Sequence, residues 1–370
     1  MKKTHWFRLV AGLFGFALLA SACGSDDPSS SSAAAACEPG QIDGDLALYN
    51  WAEYIDEEQL FAFAEEHGIS ASIDSYDSNE AMQPIVSEGN SGFDVIVPSD
   101  YMVSVMIAAG SLMPLNYDAI PNSANLMSDM QNLYFDPDGA YSLPYQWGTT
   151  GIAVNTEAIG EDFPRTWGLI FDPAISGDFD GQIQLLNDPR ETMGAALHYL
   201  GYSNNTTNMD ELNEARDLVA ATASRLAAFN TDSADEFLTS GETVIAHGYS
   251  GDMFVQALET ENPAQYVYFV PEEGGTLWID NFSIAHDAPH PCTAHTFINW
   301  MYSGEQGAAL TNWNYYNTPN EAAVPFLDED LLDFVNDPNV LAGGVESLES
   351  LQDTGDFETN YSDAFVEAKG

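Results

Sequence analysis

The sequence predicts an α/β protein with a parallel sheet, folded as two domains. Short apolar runs such as residues 93–98 (FDVIVP) alternate with amphipathic stretches of helical period, the rhythm of strand–helix–strand units. The 370 residues exceed what one core holds at roughly 150 residues per domain. A hydrophobic fraction of 45%, with 12% aromatics, supplies apolar surface for two full cores and excludes a disordered acidic chain.

The chain opens as an export signal. Lys2, Lys3 and Arg8 are basic, residues 9–20 form an apolar stretch too short to span a membrane comfortably, and Ala20, Ser21 and Ala22 are small residues ahead of Cys23. This resembles a bacterial lipoprotein signal, which implies cleavage after residue 22 and a lipid on Cys23. Ala20 stands where that pattern prefers leucine, and an ordinary secretory signal cut near Ala22 is the alternative. Residues 24–36 (GSDDPSSSSAAAA) read as a flexible spacer. Residues 1–22 are therefore assigned to the signal, and 23–40 to the lipidated cysteine and its tether. No second apolar stretch approaches spanning length, so the body is expected on the periplasmic or extracellular face of the cytoplasmic membrane, held by lipid alone. In an exported chain the two remaining cysteines, Cys37 and Cys292, are expected to form a disulfide. His286, His290, Cys292 and His295 crowd one stretch, but their spacing matches no zinc pattern, and the segment reads as a proline-rich loop entering a helix.

The elements follow in order. Residues 46–51 (LALYNW) read as a strand. Asp56 caps the next helix with Gln59 as its capping-box partner; Leu60, Phe61, Phe63 and Ala64 form the apolar stripe, and Gly68 is the stop. Residues 69–76 alternate as a strand. Ser78 or Asn79 starts a helix in which Pro84 predicts a kink. Residues 93–98 read as a buried parallel strand, and 100–109 as a helix closed by Gly110. Farther on, 151–154, 182–186, 244–249 and 267–270 are strands, and 192–200 and 210–226 are helices. Residues 277–285 (LWIDNFSIA) form a long strand passing from one region to another. The late helices are 294–301, 328–335 and 360–368.

In open parallel sheets ligands sit beyond the carboxyl ends of the strands. At those places the sequence sets Trp51, Glu53 and Tyr54; Ser99, Asp100 and Tyr101; Asp188, Arg190 and Glu191; and Tyr249 and Asp252. Trp278 and Asp280 lie on the long strand, and Tyr315 and Tyr316 follow later. Carboxylates accept charge-assisted hydrogen bonds from ammonium groups. Aromatic faces hold methylenes and attract cations, at roughly 0.5–2 kcal/mol each. Together they suit an organic polycation. The chain has no metalloprotease, dinucleotide or phosphate-loop motif, and residues 248–251 (GYSG) fall one residue short of a nucleophile elbow. The paired acids Asp188 and Glu191 leave a secreted hydrolase as an alternative.

Residues 49–54 (YNWAEY), 77–80 (DSNE), 97–101 (VPSDY), 145–148 (YQWG), 187–191 (NDPRE) and 316–320 (YNTPN) resemble the landmarks of the spermidine/putrescine-binding periplasmic proteins, the receptors of polyamine ABC importers. Residues 201–207 (GYSNNTT) and 227–230 (AAFN) extend the likeness, which runs in order from about Leu46 to Gln352. The resemblance implies a type II periplasmic-binding-protein fold, two α/β lobes with crossing strands and a ligand cleft between them. Lobe 1 would hold residues 41–149 and 281–317, lobe 2 residues 150–280 and 318–370. It implies no cofactor, no catalysis and a monomer that delivers its polyamine to a membrane permease. The ligand residues it implies are Trp51, Glu53, Tyr54, Ser99, Tyr101, Asp188, Glu191, Tyr249, Trp278, Asp280, Tyr316 and Gln352, with acids capping the amines and aromatics boxing the aliphatic chain. Arg190 is expected to pair with a neighbouring acid. The sequence departs from the family at Ala52, where a hydroxyl is usual, and at Tyr249, where Trp is usual. Asp252 adds an acid that putrescine-preferring members carry. Putrescine and spermidine both stay open, as does another cationic or small solute on the same fold.

The charge balance adds a separate clue. Eight bases stand against 58 acids, a formal charge of −50, yet only 18% of residues are charged, so the acidity reflects a shortage of bases. Such a chain repels phosphate backbones, which excludes nucleic acid as partner. Lys2, Lys3 and Arg8 fall within residues 1–22 and no acid does. The remainder thus carries Arg165, Arg190, Arg216, Arg225 and Lys369 against 58 acids, a charge of −53. The expected site uses Glu53, Asp188, Glu191, Asp252 and Asp280. Most of the excess therefore belongs to the surface, as in proteins adapted to saline surroundings.

Overall fold

The computed structural model describes residues 35–329, 331 and 340–370. The signal at 1–22, Cys23, most of the tether and most of the helix expected at 328–335 lie outside the described residues.

Strand β1 (Leu46–Trp51) pairs in parallel with β2 (Ala71–Tyr76) and β3 (Val95–Ile96). Helices α1 (Glu57–His67) and α2 (Asn79–Ser87) connect them. Asp56 caps α1 by accepting from the Glu58 N–H at 2.9 Å, and Gly68 ends it in the left-handed region at φ 67°. The expected capping box does not form. Gln59 turns away and donates to the backbone oxygen and Oε1 of Gln306, at 2.9 Å each, because its side chain is buried against that later helix. Ser78 caps α2, which continues through Pro84 to Ser87. Next come α3 (Asp100–Ala109), closed by Gly110, and β4 (Leu112–Met113).

The chain continues through the long β5 (Ser142–Asn155) and three single-turn helices, α4 (Thr156–Ile159), α5 (Gly168–Phe171) and α6 (Pro173–Ser176). A second α/β run follows: β6 (Ile183–Leu185), α7 (Pro189–Leu200), α8 (Met209–Ala223), β7 (Leu226–Phe229), α9 (Ala234–Thr239), β8 (Ile245–Tyr249), α10 (Ser250–Leu258) and β9 (Tyr266–Phe269). The chain then passes through β10 (Gly275–Ala285), α11 (Pro291–Met301), α12 (Gly304–Asn314), β11 (Leu348–Glu349) and α13 (Glu358–Lys369).

One curled sheet joins everything, in the order β2-β1-β3-β10-β5-β8-β6-β7. Its ends are parallel, and β10 and β5 lie antiparallel in the middle, with a register shift at Asp280/Asn281. These two strands do the crossing. β10 pairs with β3 at Ser283 and Ile284, while β5 pairs with β8 at 150–154. The sequence pattern shows only a fragment of β5, because Pro144, Gly148 and Gly151 interrupt it. Both glycines are there for close approach. A Cβ on Gly151 would lie 2.4 Å from the Phe269 carbonyl oxygen, and one on Gly148 2.7 Å from the Trp278 ring.

Two large cores flank the crossing. The first gathers Leu48, Phe63, Val103, Phe282 and Phe297; the second gathers Ile152, Ile183, Leu197, Val219 and Phe365. On β5 the alternation of a strand is plain. Ile152 and Val154 face the second core, while Ala153 meets a smaller cluster with Ala246, Phe254 and Tyr268 on the opposite face. Residues 318–326, expected with lobe 2, lie against the first core: the Met127 N–H donates to Pro319 O at 2.9 Å and Glu321 N–H to Asn125 O at 2.8 Å. Cys37 and Cys292 are joined by a disulfide, which fastens the first described segment to α11. Beside it the His295 ring accepts from the Asn116 N–H at 2.9 Å and contacts Pro291 O.

Candidate functional site

Six strand ends and the middle of β10 converge on one cavity of about 700 Å³ between the two cores. β1 delivers Trp51, Ala52, Glu53 and Tyr54. β2 delivers Tyr76 and Asn79, β3 delivers Ser99, Asp100 and Tyr101, and β6 delivers Asp188 and Glu191. β7 delivers Thr231 and Asp232, and β8 delivers Tyr249 and Asp252. Trp278 and Asp280 stand on β10, and Tyr316 and Leu351 complete the wall. Parallel strands on both sides of the crossing point their carboxyl ends at the same space, which is why residues distant in sequence meet.

The aromatic part is a continuous edge-to-face cluster. Tyr316 sits 5.1 Å from both Tyr54 and Trp278, Tyr249 sits 6.0 Å from Trp278, and Trp51 sits 6.4 Å from Tyr249. Hydrogen bonds fix several rings. Trp51 Nε1 donates to Val97 O at 3.0 Å, Tyr76 donates to the same oxygen at 2.6 Å, and the Tyr101 hydroxyl donates to Glu80 at 2.7 Å. The Asp252 N–H approaches the Tyr316 hydroxyl at 3.4 Å.

Seven carboxyl groups line the cavity: Glu53, Asp100, Asp188, Glu191, Asp232, Asp252 and Asp280. No Lys, Arg or His is among the lining residues. Asp188 is the N-cap of α7, with Oδ1 accepting from the Glu191 N–H at 2.9 Å, so both acids sit on one helical turn aimed inward. Asp280 accepts from the Ser99 hydroxyl at 2.6 Å across the strand bridge between them. Glu53 takes a left-handed backbone, φ 51°, as the chain turns sharply out of β1 at the cavity mouth.

All seven carboxyls are pushed above the ordinary carboxylate range, in each case chiefly by burial. Neighbouring acids add to it: Glu80 and Glu191 beside Asp188, Asp235 and Glu53 beside Asp252, Glu236 and Asp232 beside Glu53. Asp280 and Glu191 are each raised to about 7, held from going higher by hydrogen bonds from Ser99 and Tyr54 in one case and Thr276 and Thr150 in the other. Desolvated, mutually repelling acids against π-faces form a site whose chemistry favours cations.

Twelve of the thirteen ligand residues expected from sequence lie on this cavity; Gln352 does not. Its side chain is exposed, its N–H donates to Asn205 Oδ1 at 2.7 Å, and its neighbour Leu351 takes the place at the wall. The one-residue shift arises because an irregular segment there gives no periodicity to set the phase. Tyr76, Asn79, Asp100, Thr231, Asp232 and Leu351 were not in the expected set. Thr231 and Asp232 follow a strand end like the others, but a helix expected to reach residue 226 hid β7. Arg190 is not on the cavity and pairs with Glu358 at 2.7 Å, as its neutralising role requires.

Fold and cavity together define a type II solute-binding protein: two α/β halves joined by crossing strands, with a ligand space between them. The chain belongs to the family described as bacterial extracellular solute-binding protein, whose sequence pattern matches residues 59–341. It is 35% identical over 292 residues to the putrescine/cadaverine-binding protein of Pseudomonas aeruginosa, covering 77% of this chain and 82% of that one. It is 31% identical over 327 residues to the spermidine/putrescine-binding periplasmic protein of Escherichia coli K12, covering 88% and 91%. A solved structure from Listeria monocytogenes, described as a spermidine/putrescine ABC transporter, superposes with a TM-score of 0.81 at 34% identity, covering 88% of this chain and 99% of that one. All three are named as binding proteins or transporters and none as an enzyme. The hydrolase alternative is set aside: one of its paired acids, Asp188, caps the helix that carries the other. Among the described residues no helix is long and apolar enough to cross a membrane.

Proposed function

We propose that this chain captures a polyamine, putrescine or spermidine, in the cavity between its two halves and hands it to an ABC importer. The carrying observation is the lining itself, seven carboxyls and five clustered aromatic rings with no base among them. Names given to the relatives point to the same ligand class. Trp51, Glu53, Tyr54, Ser99, Tyr101, Asp188, Glu191, Tyr249, Asp252, Trp278, Asp280 and Tyr316 are the proposed contacts. Acids from both halves bridge through the cation, so the ligand favours the closed arrangement, the form proposed to dock on the permease. Lobe assignments as expected from sequence, corrected at 318–326, describe the moving parts. A lipid on Cys23 would keep the receptor beside its permease, and Cys23→Ala would release it from the membrane fraction.

A thermal-melting screen tests the ligand class. Putrescine, cadaverine, spermidine and spermine are compared with a neutral amino acid and a sugar, at physiological and high salt. A ligand present at 100 times its Kd stabilises by about 2.7 kcal/mol. An upward shift with at least one of the amines and none with the neutral solutes is expected. No shift with any amine overturns the reading.

A further inference from the structure

We propose that Arg190 is a positioning residue for closure: its guanidinium holds the two halves together by stacking on Tyr101, and so brings Asp188 and Glu191 over the ligand. The proposal rests on the receptor reading above. Arg190 is fully buried, yet it lies off the cavity. Nη1 donates to both Glu358 oxygens at 2.8 and 2.7 Å and to Gln352 O at 3.2 Å, and Nη2 donates to Asn205 Oδ1 at 3.0 Å. These partners come from the turn after α7, from the segment leading into α13 and from the first residue of α13 itself. Two aromatic rings, one from each core, lie near the guanidinium carbon. Tyr361, from α13 in the second core, lies 4.4 Å from it; Tyr101, from α3 in the first core, lies 5.0 Å from it.

The contact is preorganised from both sides. Nη1 bonded to the Glu358 carboxylate and Nη2 bonded to Asn205 Oδ1 together set the plane of the guanidinium, and the Tyr101 hydroxyl bond to Glu80 sets the ring. Neither side chain must be ordered when the halves meet. Arg190 also shares the first turn of α7 with the two cavity acids, Asp188 at the cap and Glu191. Seating Arg190 on Tyr101 therefore places those acids in the same movement. Asn187, one residue before that cap, adds a second bond in the same place, from Nδ2 to Asp77 Oδ2 at 2.7 Å. A latch of this kind acts on ligand escape more than on entry, since the ligand meets the open halves first.

The test is a double-mutant cycle on the signal-free chain, with putrescine and spermidine as probes. Dissociation rates by stopped flow and compaction by small-angle scattering are read for wild type, Arg190→Lys, Tyr101→Leu and the pair. Lysine keeps the charge and loses the planar fork. Each single change is expected to raise the dissociation rate roughly 3- to 30-fold and to reduce compaction on saturation. The pair should exceed the larger single effect by little, because both remove one contact. Multiplying effects, or an Arg190→Lys chain that melts lower but releases ligand at the wild-type rate, overturns the latch. If Arg190→Lys does not fold, Glu358→Gln is read instead: it leaves the arginine without its counter-charge, faster release is expected, and an unchanged rate overturns the latch. A wild-type chain that binds neither amine overturns the receptor reading itself, and the latch with it.

Discussion

Glu53 and Asp280 show how position sets the work of an acid. Asp280 sits on a rigid crossing strand with Ser99 donating to it, while Glu53 stands exposed at the mouth on a left-handed turn. If both hold ammonium groups, Glu53→Gln and Asp280→Asn should each weaken polyamine binding by about 1.5–3 kcal/mol by titration. Unchanged affinity in both would move the site elsewhere. The pH dependence follows from the same acids. Asp280 and Glu191 titrate at about 7 in the fold, against roughly 4 in an unfolded chain. Between those values the unfolded chain has given up protons that the fold retains. These two groups therefore lower the stability of the ligand-free fold as pH rises from about 4 to 7, with no further change above. Ammonium groups favour the ionised acids, so binding should release protons, and affinity should rise from pH 6 to 8. Calorimetry in buffers of different ionisation heat measures the exchange; net proton uptake at pH 7 would contradict it. Residue by residue, most of this site was legible in the sequence, because acids and aromatics at strand ends announce themselves. Asp232 was not, since β7 does not read as a strand and the helix expected at 210–226 runs into its first residue. Leu351 was not either, since an irregular segment gives no register to count from.

Among the elements, β10 could be read almost whole and β5 could not. β10 is a largely apolar run with no proline and no internal glycine, and its one acid, Asp280, falls where the strand meets the cavity. β5 carries Pro144, Gly148 and Gly151, which erase the alternation, and those glycines exist because other residues crowd the crossing. Tertiary contact overrode local pattern there. It did so again at Gln59, which fits a capping box by spacing yet serves the packing of α1 on α12. Gly151→Ala should therefore cost roughly 1–3 kcal/mol in urea unfolding, because its Cβ would press on a backbone carbonyl that cannot swing aside. A neutral result would mean that β9 shifts freely against β5.

At the scale of the whole molecule the shortage of bases remains the most unusual feature. Each of the five bases beyond residue 22 is already engaged. Arg190, Arg216 and Arg225 pair with acids, Lys369 with Asn187 and two phenyl rings, and Arg165 lies 5.1 Å from the Phe269 ring. The remaining surface acids repel one another with little internal relief, and salt screens that repulsion. The melting temperature should rise between 0.1 and 2 M sodium chloride; a fall, or precipitation at salt harmless to a less acidic relative, would refute adaptation to saline surroundings. The cavity acids are few beside this excess, and Asp100, Asp188, Glu191 and Asp280 differ from it in being buried beside aromatic rings rather than spread over the surface. Calorimetric titration of the signal-free chain with putrescine and spermidine tests that distinction most directly. Saturable binding near one amine per chain, in the micromolar range or tighter and surviving high salt, is the predicted result. Heats that never saturate, or that vanish once the surface charge is screened, would show that polyamines meet only a general negative field and that the cavity is not their site.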